Sequence, residues 1–180
     1  MPYDPDVHHR RSIRLPAYDY TRAGAYFVTL CIQNRACVLG TVRDAVVDPT
    51  QAGRMVVDQC IALPGRFPTL TLDAFVLMPN HWHGILVLAG SGDRGAGPGP
   101  ATAPSLADII HSFKTGTMTA YFRGVTQQGW PSMPGRLWQR NYYEHVIRDA
   151  SALDPLRDYI SANPARWALD RDNPARGGSQ

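Results

Sequence analysis

The chain has 180 residues, of which 44% are hydrophobic and 18% are charged, and its formal net charge is +3 at pH 7. This length and balance predict one compact domain and exclude an intrinsically disordered protein. No stretch approaches the roughly 18 consecutive apolar residues of a membrane span. The small positive charge is compatible with nucleic-acid binding but does not require it.

The cysteines and the N-terminus indicate a reducing compartment. Cys31, Cys37 and Cys60 are odd in number and form no CxxC pair, so neither a disulfide framework nor a cysteine zinc site is expected. The first residues lack the apolar run of a signal peptide, and we expect a cytoplasmic protein with no membrane partner.

Residues 1–22 are interpreted as a basic N-terminal arm in which Arg11 and Arg14 contact phosphates, the alternative being a solvated, unstructured terminus.

The first half of the chain predicts three strands and a helix. Residues 24–33 are rich in aromatic and β-branched types, which is typical of a strand. Residues 50–63 place apolar side chains near helical spacing, with Asp48 as a possible cap. Residues 70–78 and 81–89 then predict two strands that a short turn joins into a hairpin.

The second half begins with a change in composition. Residues 90–104 are rich in Gly and Pro, which predicts a flexible connection. Residues 105–122 follow with apolar side chains at helical spacing. Ser105 as N-cap and Asp108 three residues later add a helix-start signature, so we expect a long amphipathic helix.

The last two predicted elements are a strand and a helix. Residues 138–147 have strand character, although Asn141 interrupts the pattern. Residues 151–162 are expected to be helical, with Ser151 and Asp154 forming a capping box.

The order of elements is βαββαβ followed by one extra helix. This order predicts an α+β, ferredoxin-like sandwich with an antiparallel sheet, helices on one face and an additional C-terminal helix. We place the folded domain at residues 23–168 and expect residues 169–180 to be a disordered tail.

Two histidines lie at the start of the third predicted strand. Because strand side chains alternate between faces, His81 and His83 point the same way and Trp82 points to the opposite face. Two neutral imidazoles side by side can hold a divalent metal ion. A histidine pair that is simply hydrogen-bonded at a strand end is the alternative.

The last helix carries a second candidate pair. Tyr159 and Asn163 are four residues apart and therefore share one helical face, which could meet the sheet. A phenol with a pKa near 10 is a poor nucleophile at neutral pH and needs a nearby metal. The Asn163 amide oxygen is a possible third ligand of Mg²⁺ or Mn²⁺, with positions left open for phosphate oxygens. An ordinary tyrosine on an amphipathic helix is the alternative.

Four separated blocks of the chain share a family resemblance. They read FVLMPNHWHGILVL, SLADIIHSFKTGTMTAYF, LWQRNYYEHVIRD and LRDYISANPARW, in that order. Together they closely resemble the REP-associated tyrosine transposases, relatives of the small HUH transposases of insertion sequences. The match covers most of residues 10–170, and its specificity comes from the agreement of four blocks.

The resemblance implies a function and a set of site residues. His81 and His83 correspond to the metal-binding histidines of the HUH motif, and Tyr159 corresponds to the nucleophile in the family motif YIxxNP. Asn163 stands where insertion-sequence relatives have a glutamine as the third polar ligand. The implied activity is that of a metal-dependent endonuclease and strand transferase in DNA transposition and recombination. It would act on single-stranded or hairpin-forming repeat DNA through a 5′-phosphotyrosine intermediate, with a homodimer as one possible assembly.

Two other tyrosines are rivals for the role of nucleophile. Tyr142 and Tyr143 are adjacent, so strand alternation lets only one of them face the histidines. The resemblance favours Tyr159 over both. Plausible phosphate contacts are the basic side chains of the second half, namely His111, Lys114, Arg123, Arg136 and Arg140, the alternative for each being a solvated surface charge. Trp130, Trp138 or Tyr121 could stack on unpaired bases, although a core position is favoured for Trp138.

Two functions of other classes remain open from the sequence. A non-catalytic nucleic-acid-binding module is one, because ferredoxin-like sheets with aromatic faces also bind RNA. A hydrolase that attacks with metal-activated water is the other, although the sequence contains no HExxH motif. Metal-dependent cleavage separates the enzyme from the binding module, and a covalent protein–DNA adduct separates the tyrosine enzyme from the hydrolase.

Overall fold

The computed structural model describes residues 23–90 and 104–177. Its strands and helices in chain order are β1 (Gly24–Cys31), β2 (Gly40–Arg43), β3 (Val46–Pro49), α1 (Gln51–Ile61), α2 (Leu63–Arg66), β4 (Leu70–Leu77), β5 (His81–Leu88), α3 (Leu106–Gln128), β6 (Tyr143–Ile147) and α4 (Leu153–Ala162). Short 3-10 helices occupy Gln33–Arg35, Ala150–Ala152, Pro164–Leu169 and Pro174–Gly177. The expected basic arm and nearly all of the expected flexible connection lie outside the described residues.

A four-stranded sheet in the order β4-β5-β1-β6 organises the fold. Every neighbouring pair in it is antiparallel. With α1 between β1 and β4, and α3 between β5 and β6, this is the ferredoxin-like βαββαβ arrangement. The predicted fold class is confirmed.

The two faces of the sheet are covered by different helices. The larger buried cluster lies on the face of α1 and α3 and includes Trp82 and Leu86. The smaller cluster lies on the opposite face, where Phe27 and Ile85 pack with Ile160 of α4. The expected alternation of side chains along β5 is therefore confirmed, and the C-terminal helix covers the face that the other two helices leave open.

A glycine directly after the histidines allows the indole of Trp82 to lie flat along the strand. A Cβ atom on Gly84 would overlap the six-membered ring of Trp82. The indole is fully buried and packs against Phe113 of α3, with ring centroids 5.6 Å apart. Gly84 thus leaves room for Trp82 to pack against α3 on one face of β5, and the histidines lie on the other face.

A second, two-stranded sheet was not expected. The β2 and β3 strands form a hairpin whose turn residues, Asp44 and Ala45, have φ values of 49° and 62°. Two consecutive positive φ values define a tight hairpin turn that usually contains Asn-Gly or Asp-Gly. Because this chain has Asp-Ala there, the turn signal is missing from the sequence.

Helix starts differ from the predictions in two places. The α1 helix is capped by Thr50, whose Oγ1 accepts a hydrogen bond from the Gly53 amide at 3.0 Å, and the prediction of Asp48 as its cap was wrong. The helical turn before α4 is capped by Asp149, which accepts from the Ala152 amide at 3.0 Å, so Ser151 is not the expected cap. Each cap lies two residues from the predicted one, where a competing Thr or Asp was equally available.

The α3 helix and β6 differ from the predictions in length. The Ser105 capping box with Asp108 is confirmed, but α3 extends to Gln128 and ends at Gly129, which has a φ of 68°. The β6 strand begins only at Tyr143, and Trp138 makes an isolated bridge to Ile32.

Residues 170–172 pack against the turn before β5, whereas a disordered tail was expected from residue 169. The Asp172 carbonyl accepts a hydrogen bond from Asn80, and its side chain lies 3.2 Å from Arg35. The polar composition of this segment suggests disorder. Its packing partners lie far away in the sequence, so the local sequence does not reveal them. Among the helices in residues 23–90 and 104–177, none is long and apolar enough to cross a membrane.

Candidate active site

The two histidines of β5 lie side by side on the face that α4 covers. Their ring centroids are 4.6 Å apart. His81 is fully buried and His83 is 5% exposed. The paired orientation follows from strand alternation, and the burial comes from α4 and the segment after it.

A hydrogen bond to Nδ1 orients each imidazole. Asn80 Oδ1 lies 2.9 Å from His81 Nδ1, and Thr29 Oγ1 lies 2.8 Å from His83 Nδ1. Thr29 reaches His83 because the two residues are directly opposite in the β1–β5 register. In both rings the Nε2 atom is the one not engaged by these bonds, and a hydrogen bond at the other ring nitrogen is how proteins usually orient a histidine towards a metal.

The position of the Asn80 amide is itself fixed. Its Nδ2 atom donates to the carbonyl oxygens of Arg35 at 2.9 Å and Asp172 at 2.7 Å. Since both partners are acceptors, Oδ1 is the atom that faces His81, and His81 must donate from Nδ1. The Nε2 atom of His81 then carries a lone pair.

Burial keeps both imidazoles neutral. Desolvation lowers the pKa of His81, although Asp170 acts in the opposite direction. Desolvation, followed by the neighbouring His81, lowers the pKa of His83 to about 3. Neutral imidazoles are the form that binds metal ions.

Tyr159 lies over His83. The two ring centroids are 5.4 Å apart at an angle of 66°, and Tyr159 is also 5.9 Å from the ring of Phe27. The phenol is 39% exposed, so solvent or a bound strand can reach it. Desolvation raises its pKa, whereas Asn163 acts to lower it.

Apolar packing and an ionic contact with the sheet set the position of α4. Ile160 is buried against Phe27 and Ile85. Arg157 donates two hydrogen bonds to the Asp73 carboxylate on β4, at 2.6 and 2.9 Å. These contacts hold the helix in the rotation that turns Tyr159 towards the histidines.

Two buried polar atoms near the histidines have no hydrogen-bond partner among the described residues. One is His81 Nε2 and the other is Asn163 Oδ1, on a side chain that is 3% exposed. Asn163 also influences the pKa of both His81 and Tyr159, which puts its amide within reach of both side chains. A buried lone pair without a partner is costly, and a cation bound by both atoms would remove that cost.

Asp170 adds negative charge at the same place. Its Oδ2 atom lies 3.8 Å from His81 Nε2. This contact is too long for a hydrogen bond, and the lowered pKa of His81 means that it is not an ion pair at neutral pH. A carboxylate that faces a neutral imidazole lone pair favours a cation between them.

The composition of the site limits how an ion could be held. In the described part of the chain, no three His, Cys, Asp or Glu side chains are grouped as a metal site. A metal held by His81 and His83 could take the buried Asn163 Oδ1 atom as a further ligand. These three residues, expected from the sequence to act together, do meet in space with Tyr159.

Tyr143, rather than Tyr142, shares the histidine face. It pairs with Thr29 in the β1–β6 register and is 49% exposed at the edge of the sheet. Tyr142 packs against the larger cluster on the other face. No ring contact joins Tyr143 to either histidine among the described residues, in contrast to Tyr159.

The expected DNA contacts separate into groups. His111, Lys114, Arg136 and Arg140 line one cavity beside α3, on the opposite face of the sheet from the histidines. Arg123 lies on the same helix but does not line that cavity, and Arg11 and Arg14 lie outside the described residues. Of the aromatic residues expected to stack on bases, Tyr121 and Trp138 are buried in the core. Trp130 is partly buried, and its indole N–H donates a hydrogen bond to Gln51.

Sequence reasoning missed three polar residues of this site. Asn80 had been interpreted only as a turn residue, Thr29 as part of a strand, and Asp170 as part of the tail. Only Asn80 had a usable signal, because an amide beside a paired histidine can orient it. Thr29 and Asp170 reach the site through long-range packing.

No family model matches the chain, but it is similar to two proteins of known sequence and to one solved structure. An uncharacterized protein of Haemophilus influenzae is 33% identical over 179 residues, covering 94% of this chain and 96% of that protein. A second H. influenzae protein, which carries the name of a REP-associated tyrosine transposase, is 26% identical over 148 residues, or 82% of this chain and 74% of that protein.

A solved structure shares the fold. It is that of a REP-associated tyrosine transposase bound to a REP hairpin, with 20% sequence identity and a TM-score of 0.56. The alignment covers 85% of this chain and 73% of the other. The chain is therefore similar in sequence to a protein named as a REP-associated tyrosine transposase and shares its fold with a solved one, which supports a transposase-like function.

Proposed function

We propose that the chain is a metal-dependent endonuclease and strand transferase for single-stranded DNA, with Tyr159 as its nucleophile. The observation that carries the proposal is the contact between the rings of Tyr159 and His83, which belong to elements distant in the sequence. An exposed phenol beside a pair of neutral, oriented histidines is the arrangement that such chemistry needs.

The metal would be held by His81, His83 and Asn163. The fit rests on the two buried, unpartnered atoms, His81 Nε2 and Asn163 Oδ1, and on the Asp170 carboxylate beside them. When bound, Mg²⁺ or Mn²⁺ supplies a Lewis acid that polarises the scissile phosphate. Two nitrogen ligands are better suited to Mn²⁺, whereas Mg²⁺ prefers oxygen.

The residues of the chain supply positioning and the nucleophile. The Oη atom of Tyr159 attacks the phosphorus and forms a 5′-phosphotyrosine bond as the bond to the 3′ oxygen breaks, leaving a free 3′-hydroxyl. The phenol proton passes to solvent, which reaches this partly exposed side chain, and the departing 3′ oxygen takes up a proton from solvent. Because one phosphodiester replaces another, a 3′-hydroxyl can reverse the step and join strands without ATP.

The proposed substrate is hairpin-forming repeat DNA with unpaired flanking nucleotides. The related structure with the same fold is bound to a REP hairpin. The chemistry itself requires an accessible phosphodiester next to Tyr159, which an unpaired strand offers more readily than a duplex. A homodimer stays a prediction.

A covalent adduct tests the proposal. Wild-type protein is incubated with labelled single-stranded hairpin oligonucleotides and Mn²⁺ or Mg²⁺, and denaturing gel electrophoresis detects protein-bound DNA. We expect an adduct that disappears with a chelator and with His83→Ala. Cleavage without any adduct would contradict a tyrosine nucleophile and favour attack by water. Binding without cleavage in any metal would favour a non-catalytic module.

A further inference from the structure

A cavity of about 570 Å³ lies between α3 and the segment that leads into β6. We call it the α3 groove. Its floor is apolar, formed by Ile110, Met118, Trp138 and Tyr142, and its rim carries His111, Lys114, Arg136 and Arg140. The chemistry proposed above uses none of these residues.

The rim of the groove is held together by Lys114. Its Nζ atom donates to the carbonyl oxygens of Gln139 at 2.6 Å and Arg140 at 2.9 Å. These bonds tie the segment before β6 to α3 and fix the two walls of the groove relative to each other. Burial, and then the charge of Arg136, lowers the pKa of Lys114 to about 8.

The positive charge of the rim is not neutralised by the protein. No ion pair within residues 23–90 and 104–177 involves Lys114, Arg136 or Arg140. Three basic groups around one concavity attract a negatively charged ligand. The groove therefore favours an anion with an apolar part.

The shape and lining of the groove suit a nucleotide. Its volume lies within the range of roughly 300 to 1,000 Å³ that is typical of small-ligand sites. An unpaired base can rest on the apolar floor near Tyr142 while its phosphate lies at Arg136 or Arg140. A duplex presents a convex surface with its bases stacked inside and cannot fill such a cavity.

The groove continues towards the candidate active site. Gln139 and Tyr142 also line a second cavity, of about 270 Å³, which includes Thr29 and Tyr143. Thr29 is hydrogen-bonded to His83. The two cavities thus follow each other around the sheet edge where β6 begins, from the α3 groove to the histidine face.

We propose that the α3 groove binds an unpaired nucleotide of the same DNA strand whose phosphodiester is cut at Tyr159, and that this strand crosses the edge of the sheet over Gln139, Tyr142 and Tyr143. The inference rests on the proposed function and adds to it a binding site for the single-stranded flank. Arg136 and Arg140 act in binding and not in the chemical step.

Binding measurements on two oligonucleotides test the groove. Fluorescence anisotropy compares a hairpin that carries a single-stranded flank with the same hairpin lacking it, using the full chain and the double variant Arg136→Ala/Arg140→Ala. Arg43→Ala is the matched control, since Arg43 is an exposed arginine on β2 outside the groove. All measurements are repeated in a Tyr159→Phe background, where no adduct can form at Tyr159.

The expected result is a weakening that depends on the flank. The double variant should bind the flanked hairpin on the order of tenfold more weakly, and the slope of log K against log salt should fall by about 0.7 for each phosphate that the variant no longer binds. The affinity of the double variant for the hairpin without a flank should equal that of the wild type. The Arg43→Ala variant should bind both hairpins with wild-type affinity. Equal weakening on both hairpins, or none on either, would overturn the proposal, and so would tighter binding of an RNA flank of the same sequence.

The experiments distinguish a failure of the groove proposal from a failure of the proposed chemistry at Tyr159. A flank-dependent weakening in the Tyr159→Phe background supports the groove even if the wild type forms no adduct. Conversely, an adduct at Tyr159 together with unchanged affinity in the double variant would leave the chemistry standing and remove the groove. Lys114→Met, which removes both bonds to the segment before β6, should reproduce the flank-dependent weakening if the groove must keep its shape.

Discussion

The side-chain amide of Asn80 selects the tautomer of His81. Its Oδ1 atom lies 2.9 Å from His81 Nδ1, while its Nδ2 atom donates to the carbonyls of Arg35 and Asp172. The direction of two hydrogen bonds to the main chain therefore decides which imidazole nitrogen carries the proton. The other nitrogen, Nε2, is left unprotonated and buried before any ligand arrives.

Removing this amide should weaken metal binding. We expect Asn80→Ala to lower the affinity for Mn²⁺ by about 10- to 100-fold, because His81 can then rotate or adopt the other tautomer. Asn80→Asp, which keeps an acceptor for Nδ1 but removes both donors, should fall between Asn80→Ala and the wild type. Isothermal titration calorimetry measures the affinity without any DNA. An Asn80→Ala protein that binds Mn²⁺ like the wild type would show that the tautomer does not need this partner.

The ion pair between β4 and α4 should affect the reaction more than the stability. Arg157→Ala and Asp73→Ala each remove the contact that orients α4, so the rate of adduct formation should fall in both. Their effects should not add in the double variant, since the two residues act through one contact. The pair is partly solvent-exposed, which predicts only a small change in thermal midpoint.

Asp154 provides the control for that experiment. It also pairs with Arg157, at 2.8 Å, but it belongs to α4 itself and makes no link to the sheet. Asp154→Ala should therefore form adduct at the wild-type rate. A decrease as large as that of Asp73→Ala would mean that the contact between Arg157 and β4 has no special role in orienting α4.

Filling the space beside Trp82 should destabilise the fold. Gly84→Ala forces the indole away from β5, and overpacking of this kind costs about 1 to 3 kcal/mol. Gly65→Ala is a matched control, because an added Cβ there meets no atom within 4 Å. Urea unfolding followed by tryptophan fluorescence measures both. Equal stability of the two variants would contradict the packing described for Trp82.

Stability should decline as the pH falls below about 6.5, the ordinary pKa of histidine. Burial lowers the pKa of His83 to about 3, so between these values the unfolded chain binds a proton that the folded chain does not. Protonation then favours unfolding, and the contribution of His83 is complete only above about pH 6.5. Urea unfolding at about pH 7.5 and about pH 5.5 should show the decline, and His83→Gln should reduce it. A wild-type stability that rises on acidification would contradict a buried neutral His83.

The sheet and the histidine pair could be predicted because their signals are local. Alternation along β5 places His81 and His83 on one face and Trp82 on the other, and the structure has this arrangement. The capping box at Ser105 likewise marks the start of α3. Each of these features depends on residues within a few positions of one another.

What could not be predicted depends on long-range packing or on a missing local signal. Nothing near Asp172 reveals that its carbonyl meets Asn80 across the molecule. The β2–β3 hairpin turns at Asp44 and Ala45 without a glycine. The position of Tyr159 over His83 was expected only from the family resemblance, since helical spacing shows which face Tyr159 shares but not what that face meets.

The most direct test of the account is to locate the covalent attachment. The adduct formed with a hairpin oligonucleotide is digested with nuclease and protease, and mass spectrometry identifies the peptide that keeps a nucleotide remnant. We predict a phosphotyrosine at Tyr159, with no adduct in Tyr159→Phe and an adduct that is still attached at Tyr159 in Tyr143→Phe. A remnant on Tyr143 or Tyr142, or an adduct that survives Tyr159→Phe, would contradict the central claim.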